Sequence, residues 1–189
     1  MQEYNHFKKT IMRELKHLRY LTASLIAQAI IGFGDSNTKI GQYRRIYIRL
    51  MDKSLREYGL ARDAFLSDDS DVGRTFRFAN HMETCINSLA RLNKLRGRIK
   101  SEKNTLKLPD GIRKQVEKSS DAVRHIRNAI EHMDESIQKD SVKKGQAIII
   151  VANETKDGFS IAKYKLGFEE LATALEKMHE LAVLILNNS

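Results

Sequence analysis

Three polar residues in one short stretch of the chain have the side-chain types needed for acid–base chemistry on a phosphate. They are Arg127, Asn128 and His132, within the run SSDAVRHIRNAIEHMDESIQ. Histidine has an ordinary pKa near neutral pH and can therefore act there as an acid or a base. Arginine carries a permanent charge on a planar fork that fits phosphate oxygens. An asparagine amide can orient either neighbour, which makes the stretch a candidate catalytic site.

Apolar residues around this stretch recur at the spacing of an α-helix. They are Val123, Ile126, Ile130, Met133 and Ile137, and they predict one narrow stripe that faces the core. At about 100° per residue, Asn128 lies roughly opposite this stripe and His132 about 140° from its centre. A lone histidine is most often structural or merely exposed. This spacing predicts that His132 faces solvent, a cleft or a partner.

The arrangement R-N-x-x-x-H on a late helix resembles the R-x(4–6)-H motif of the HEPN superfamily, in which a polar residue often follows the arginine. Arg127, Asn128 and His132 match its three positions. The run RFANHMETCINSLARL, residues 77–92, is similar to the long helix that precedes the motif helix. The resemblance covers residues 75–140 best, within a chain that we interpret as a single domain over residues 1–189.

The resemblance implies an endoribonuclease that needs no metal or other cofactor and completes its site across a homodimer. RNA supplies its own nucleophile, the 2′-OH, so the enzyme provides a base and a cation. In this scheme His132 is the acid or base, Arg127 stabilises the charged phosphorane and Asn128 fixes their geometry. Such enzymes act as toxins or in RNA-based defence and stress systems, which implies an antitoxin or regulatory protein as partner. Some toxins of the family have a tyrosine two residues after the histidine; Asp134 stands there.

Three other interpretations of this stretch remain open. Many HEPN domains are inactive, and the chain could be a helical module that binds a protein, a nucleotide or RNA without catalysis. A metal centre is less favoured, because His125 and His132 share a face without an H-E-x-x-H or Cys/His ligand set. Glu131 and Asp134 are spaced as a carboxylate pair, but such pairs on a charged helix are usually solvated surface.

The charge balance favours a polyanionic partner such as RNA. The 189 residues include 33 Lys and Arg against 24 Asp and Glu, for a formal net charge of +9. These charges are spread along the chain rather than grouped in blocks, and a similar surplus occurs in proteins that bind no nucleic acid.

Cysteine usage and hydropathy bound the compartment in which the protein works. The single cysteine, Cys85, belongs to the apolar stripe Phe78, Met82, Cys85, Leu89 and Leu92, which predicts a buried thiol. One cysteine excludes an internal disulfide and fits a reducing compartment. The sequence has no signal-peptide pattern and no apolar run long enough to span a bilayer. We therefore expect a cytoplasmic protein without membrane contact.

Periodicity along the chain predicts an all-α fold, a helical bundle of about five main helices. The predicted helices run from about Tyr4 to Ile31, Tyr43 to Phe65, Thr75 to Ile99, Ile112 to Gln138 and Phe168 to Leu186. Between the last two, at about residues 146–166, the runs Ala147–Ala152 and Phe159–Leu166 flank a D-G turn and predict a small β-hairpin. Residues 32–41, 67–73 and 104–111 are predicted connections.

Overall fold

Helices account for most of the chain in a computed structural model that describes residues 12–30, 38–68, 72–102, 110–153 and 155–187. The order is α1 Thr22–Ile30, α2 Lys39–Leu66, α3 Val72–Glu102, α4 Asp110–Glu131, α5 Met133–Gln138, the strands β1 Val151–Ala152, β2 Gly158–Ile161 and β3 Tyr164–Gly167, and α6 Phe168–Asn187. A mostly helical bundle with a small antiparallel sheet before the last helix is therefore confirmed. Of the predicted connections, residues 32–37, 69–71 and 104–109 lie outside the described residues.

The helices α2 and α3 form a long antiparallel hairpin. Phe65, near the end of α2, contacts Phe78, near the start of α3, with ring centroids 5.7 Å apart. The α2 helix begins four residues earlier than Tyr43, the predicted start, because the Thr38 hydroxyl accepts a hydrogen bond of 3.1 Å from the Gly41 amide. This hairpin and α6 carry much of the apolar core.

Buried apolar side chains join α2, α3, α4, α6 and the sheet into one core. Cys85 lies in it as a free, fully buried thiol, so the prediction from its stripe is confirmed. Burial, followed by the nearby Glu57, raises the pKa of this thiol well above its ordinary value. Cys85 is therefore a packing residue without the character of a nucleophile.

The predicted first helix, from Tyr4 to Ile31, is wrong over residues 12–21, which are not helical; residues 1–11 and 31 lie outside the described ranges. In a helix, the backbone carbonyl groups of this segment would accept hydrogen bonds from the segment's own amides. Here, side chains of α2 donate hydrogen bonds to two of these carbonyl groups instead. The Tyr58 hydroxyl donates to the carbonyl of Arg13 at 2.9 Å, and Arg62 Nε donates to that of Met12 at 2.8 Å. Apolar residues of helical spacing thus pack on the core from an irregular segment, because tertiary hydrogen bonds replace local ones.

The start of α1 is set by a carboxylate from another helix. Asp52 accepts hydrogen bonds from the amides of Leu21 and Thr22, both at 2.8 Å. The first amides of a helix have no partner within the helix, and an anionic acceptor there is stabilising. Asp52 therefore favours a helix that begins at Thr22 rather than near Tyr4.

The motif helix is shorter than predicted, because the helix that we expected to continue to Gln138 is interrupted at His132. This residue has φ −112° and ψ 20° and separates α4 from α5. Ile126 is fully buried, whereas Ile137, farther along the same predicted stripe, is 49% exposed. The stripe therefore packs on the core as far as Met133, the first residue of α5, and leaves it before Ile137.

The predicted two-stranded hairpin is wrong in its number of strands, since the sheet has three, in the order β1-β2-β3. The run predicted as one strand, Phe159–Leu166, is divided by a tight turn at Ala162 and Lys163, where Ala162 has φ 50°. Both pairings are antiparallel, and Phe159 lies opposite Leu166. A Cβ at Gly158 would lie 2.4 Å from the Leu166 carbonyl oxygen, so only glycine fits this close approach.

Candidate functional site

All three predicted site residues lie near the end of α4, outside the core. His132 has a side chain 59% exposed and Arg127 one 40% exposed, and Asn128 is exposed. The opposite face of α4 contributes the buried Val123 and Ile126. The orientation expected from the helical spacing is therefore observed.

Arg127 and His132 each have a carboxylate partner on the same stretch of chain. Arg127 Nη2 forms an ion pair with Glu131, one turn later. His132 Nδ1 lies 3.3 Å from Glu135 Oε1. The hydrogen bonds with His132 and then with Lys139 hold the pKa of Glu135 below its ordinary value. Exposed pairs of this kind are worth about 0–1 kcal/mol, so a phosphate can compete with either carboxylate.

Within one chain the three residues do not line a common cavity. Arg127 lines a groove between α2, α3 and α4. Asn128 and His132 line a smaller recess between α4, α5 and the β2–β3 turn. The division follows from helix geometry, because adjacent residues project about 100° apart around the axis.

The His132 recess has a volume of about 350 Å³. It is lined by Asn128, Ala129, His132, Met133, Ser136, Ser141, Val142, Gln146, Ala162, Lys163 and Tyr164. Lys163 contributes a cation, and its Nζ lies 5.4 Å from the centroid of the Tyr164 ring. That ring stacks on His125, with centroids 5.4 Å apart and planes at 5°. The recess therefore combines an acid–base group, a cation and neutral hydrogen-bonding groups.

The larger cavity, which we call the cationic groove, has a volume of about 630 Å³. It is lined by Tyr43, Ile46, Ala90, Arg91, Asn93, Lys94, Leu95, Arg98, Ser120, Arg124 and Arg127. Five of these side chains are cationic, and none of the described lining residues is acidic. Such a concentration of one charge attracts anions and raises their local concentration.

One wall of the cationic groove is apolar. Tyr43 is partly buried against the core, and Ile46 is 42% exposed. The Asn93 Oδ1 atom, from α3, is buried and has no hydrogen-bond donor among the described residues. The groove therefore offers apolar area beside its charges.

The sequence-based prediction missed the residues that surround its three site residues. Arg91, Lys94 and Arg98 follow the spacing i, i+3 and i+7, which is visible in the sequence as one face of a helix. The charges are spread along the chain, but this helical spacing brings three of the cations to one face. Lys163 and Tyr164 had no such signal, since a turn between two strands brings them to His132.

Among the described residues, no group of three or more His, Cys, Asp and Glu could hold a metal ion.

The pair of Glu57 and His81, 2.8 Å apart, joins α2 to α3. Burial raises the pKa of Glu57, but hydrogen bonds from His81 and then Arg56 outweigh it, and the pKa lies below its ordinary value.

No helix in the described ranges is long and apolar enough to cross a membrane.

Comparison of the chain with protein-family models, with curated proteins and with solved structures found no match. The HEPN resemblance therefore stays a prediction that rests on Arg127, Asn128 and His132.

Proposed function

We propose that this protein is a HEPN-like endoribonuclease that cleaves RNA without a metal ion, at a site completed by a second copy of the chain. The observation that carries the proposal is the exposure of Arg127 and Asn128 near the end of α4, and of His132 directly after it, while the opposite face of α4 is packed in the core. Side chains of these types, placed close together at the end of a packed helix and open to solvent, are suited to a phosphate ester.

The proposed chemistry uses the 2′-OH of RNA as the nucleophile. The His132 imidazole takes the proton of this hydroxyl while its oxygen attacks the adjacent phosphorus, and Arg127 stabilises the negative charge on the phosphorane. Asn128 orients the reacting groups. The bond from phosphorus to the 5′ oxygen then breaks, and an acid protonates this oxygen.

A single chain lacks two features that the proposed reaction needs, and a second copy of the chain would supply both. One chain offers only one histidine of this stretch in the recess, and its Arg127 lies in a different cavity. Pairing around a two-fold axis brings two copies of each residue together and supplies both acid and base. The exposed Ile137, one and a half turns after His132, gives this face apolar area to bury on association.

Incubation with total RNA tests the proposal, with the wild type compared with His132→Ala. A matched control is His17→Ala, because the His17 side chain is 58% exposed, nearly the same as His132, and lies on the segment before α1. We expect cleavage by the wild type and by the control, in the presence or absence of EDTA, and none by His132→Ala. Cleavage that survives His132→Ala, or that stops with EDTA, would contradict this mechanism.

A second candidate function is a non-catalytic RNA-binding module. It is favoured by the ion pairs that occupy Arg127 and His132 and by the separation of these side chains into two cavities. In that case the wild type binds RNA and leaves it intact, and His132→Ala binds equally well. Light scattering then distinguishes the two candidates further, because only the nuclease requires a dimer.

A further inference from the structure

We propose that the cationic groove binds a single strand of RNA, with its cations on successive phosphates and Tyr43 stacked on a base. This inference rests on the proposed function only for the identity of the polymer as RNA. The groove itself, apart from Arg127, belongs to none of the residues that would perform cleavage.

The cations of the groove form two rows on facing helices. Arg91, Lys94 and Arg98 lie along one face of α3, and Arg124 and Arg127 lie along α4. The α3 row extends over about 10 Å of helix axis, since each residue rises 1.5 Å. This length exceeds that of one phosphate group, so the row fits a chain of phosphates better than an isolated anion.

The groove cations have few competitors among the described residues. Arg91 and Lys94 have no carboxylate partner there. Arg124 pairs at 3.0 Å with the exposed Asp121, and Arg127 pairs with Glu131, neither of which lines the groove. Exposed pairs of this kind are weak. A phosphate can therefore replace both carboxylates without leaving a buried charge behind.

The apolar wall argues for an unpaired strand. Tyr43 and Ile46 line the groove together with the cations, and the Tyr43 ring offers a flat surface for a base, a contact that single-strand-binding proteins use without regard to base identity. A duplex keeps its bases stacked inside and presents mainly phosphates and sugar hydroxyls. A groove that combines cations with an exposed apolar wall is therefore suited to a strand whose bases are free.

Arg127 links this groove to the proposed site of cleavage. It is the groove residue nearest in sequence to Asn128 and His132, and it lies on the same turn of α4 as Asn128. A strand that follows the α4 row from Arg124 to Arg127 is directed toward the end of the helix where the His132 recess begins. The groove thus positions RNA and does not itself react.

Fluorescence anisotropy with a labelled 2′-O-methyl RNA strand tests the groove, because this strand lacks the nucleophile and is not cut. The test variant is the double substitution Arg91→Ala with Lys94→Ala. The matched control is Lys16→Ala with Arg19→Ala, which removes the same charge from two exposed residues that do not line the groove. Thermal unfolding confirms that all variants are folded.

We expect the groove variant to weaken binding at least tenfold and to reduce the slope of log K against log salt by about 1.4, since each phosphate contact contributes about 0.7. The control should retain the wild-type slope. A groove variant with the slope and affinity of the control would overturn the proposal, as would equal binding of a duplex of the same sequence.

Tyr43 gives a second, independent readout. We expect Tyr43→Ala to weaken binding about five- to one hundredfold and Tyr43→Phe to bind as the wild type does, because stacking needs the ring and not the hydroxyl. Equal affinity of the Ala and Phe variants would exclude stacking on this residue. A free nucleotide that binds as tightly as the strand would instead identify a nucleotide site and overturn the proposal.

The failure of this inference is distinguishable from failure of the nuclease proposal. A wild type that binds the strand through Arg91 and Lys94 but cuts no RNA retains the groove and refutes the nuclease. A wild type that cuts RNA, with cleavage and binding unchanged in the Arg91 and Lys94 double variant, retains the nuclease and refutes the groove.

Discussion

The cationic groove and the His132 recess lie on neighbouring faces of α4 and have opposite chemical characters. The groove contains permanent charges and an apolar wall, whereas the recess contains one titratable histidine, one lysine and several neutral polar groups. Permanent charges hold a polyanion at any physiological pH, whereas proton transfer needs a group that can change its charge. If the proposed function is correct, binding and chemistry are divided between two faces of one helix, with Arg127 and Asn128 at the division.

The two cavities also differ in how they are built. The groove depends on regular positions of long, packed helices. The recess depends on an interruption of the helix at His132 and on a tight turn at Ala162 and Lys163. Substitutions in the groove should therefore alter affinity in a graded way, whereas substitutions in the recess should alter the chemical step.

The largest expected effect is a difference between the His132 and Arg127 variants in cleavage and in affinity for RNA. His132→Ala should reduce cleavage by two to four decades, about 3–5 kcal/mol in barrier height, and leave the affinity for RNA unchanged. Arg127→Ala should reduce both cleavage and affinity, and Arg127→Lys should restore affinity more than cleavage, because a point charge does not reproduce the bidentate grip. Single-turnover cleavage together with anisotropy measures both quantities. Equal loss of RNA affinity in His132→Ala and Arg127→Ala would contradict a division of binding and chemistry between the two cavities.

Measurements of the two cavities at several pH values require that the fold that carries both cavities stays stable at each pH. Arg13 forms hydrogen bonds with Glu176 at 2.5 and 2.8 Å, and this contact is the main reason that the pKa of Glu176 lies below its ordinary value. A carboxyl group with a depressed pKa stabilises the fold above its unfolded pKa of about 4.3, and this stability is lost as pH falls through the folded pKa.

Glu176→Gln should therefore lower the free energy of unfolding at pH 7 by about 2 kcal/mol, the value of a charged hydrogen bond. The difference from the wild type should shrink at pH values below about 4. Urea unfolding at several pH values measures it. A constant difference across the series would show that the Arg13 contact does not contribute to acid sensitivity.

A smaller effect concerns the only cation among the described residues of the recess. Lys163→Met keeps the length of the side chain and removes its charge, and we expect cleavage to fall by about tenfold because a cation near the phosphorane is lost. Affinity should change less than twofold. The control is Lys156→Met, an exposed lysine in the turn that precedes β2. A larger loss of affinity than of cleavage would assign Lys163 to binding and make the two cavities one site.

The smallest expected effect comes from the carboxylates beside the two cavities. Glu131→Gln frees Arg127 from its ion pair and should strengthen RNA binding by up to about fivefold, the value of an exposed pair. Glu135→Gln removes the partner of His132 and should leave affinity within twofold while altering the pH profile of cleavage. Identical behaviour of the two variants in anisotropy would argue against a division between the cavities.

Sequence reasoning succeeded where local spacing decides the outcome. The buried Val123 and Ile126, the exposed His132 and the buried Cys85 all follow from helical periodicity, because the face of a helix is set by residue spacing alone. The coarse architecture followed for the same reason. The face formed by Arg91, Lys94 and Arg98 was equally visible in the spacing, but it was not predicted.

Sequence reasoning failed where distant groups compete with local ones. Residues 12–21 have helical spacing, yet hydrogen bonds from Tyr58 and Arg62 hold them in an irregular path. The single strand predicted for residues 159–166 bends into two, because antiparallel pairing of Phe159 with Leu166 satisfies its backbone better than extension does. The competitors in the first case lie 45 and 50 residues away along the chain and cannot be identified from neighbouring residues.

The order of residues along the chain was sufficient to determine that Arg127, Asn128 and His132 leave the core on one helix, since rotation per residue is a local property. It was also sufficient for the excess of positive charge. Only the tertiary structure decided that α3 brings Arg91 and Lys94 to Arg127, and that the β2–β3 turn brings Lys163 to His132. These contacts join residues far apart in sequence, and their partners are chosen by how the apolar faces of whole elements pack in the core.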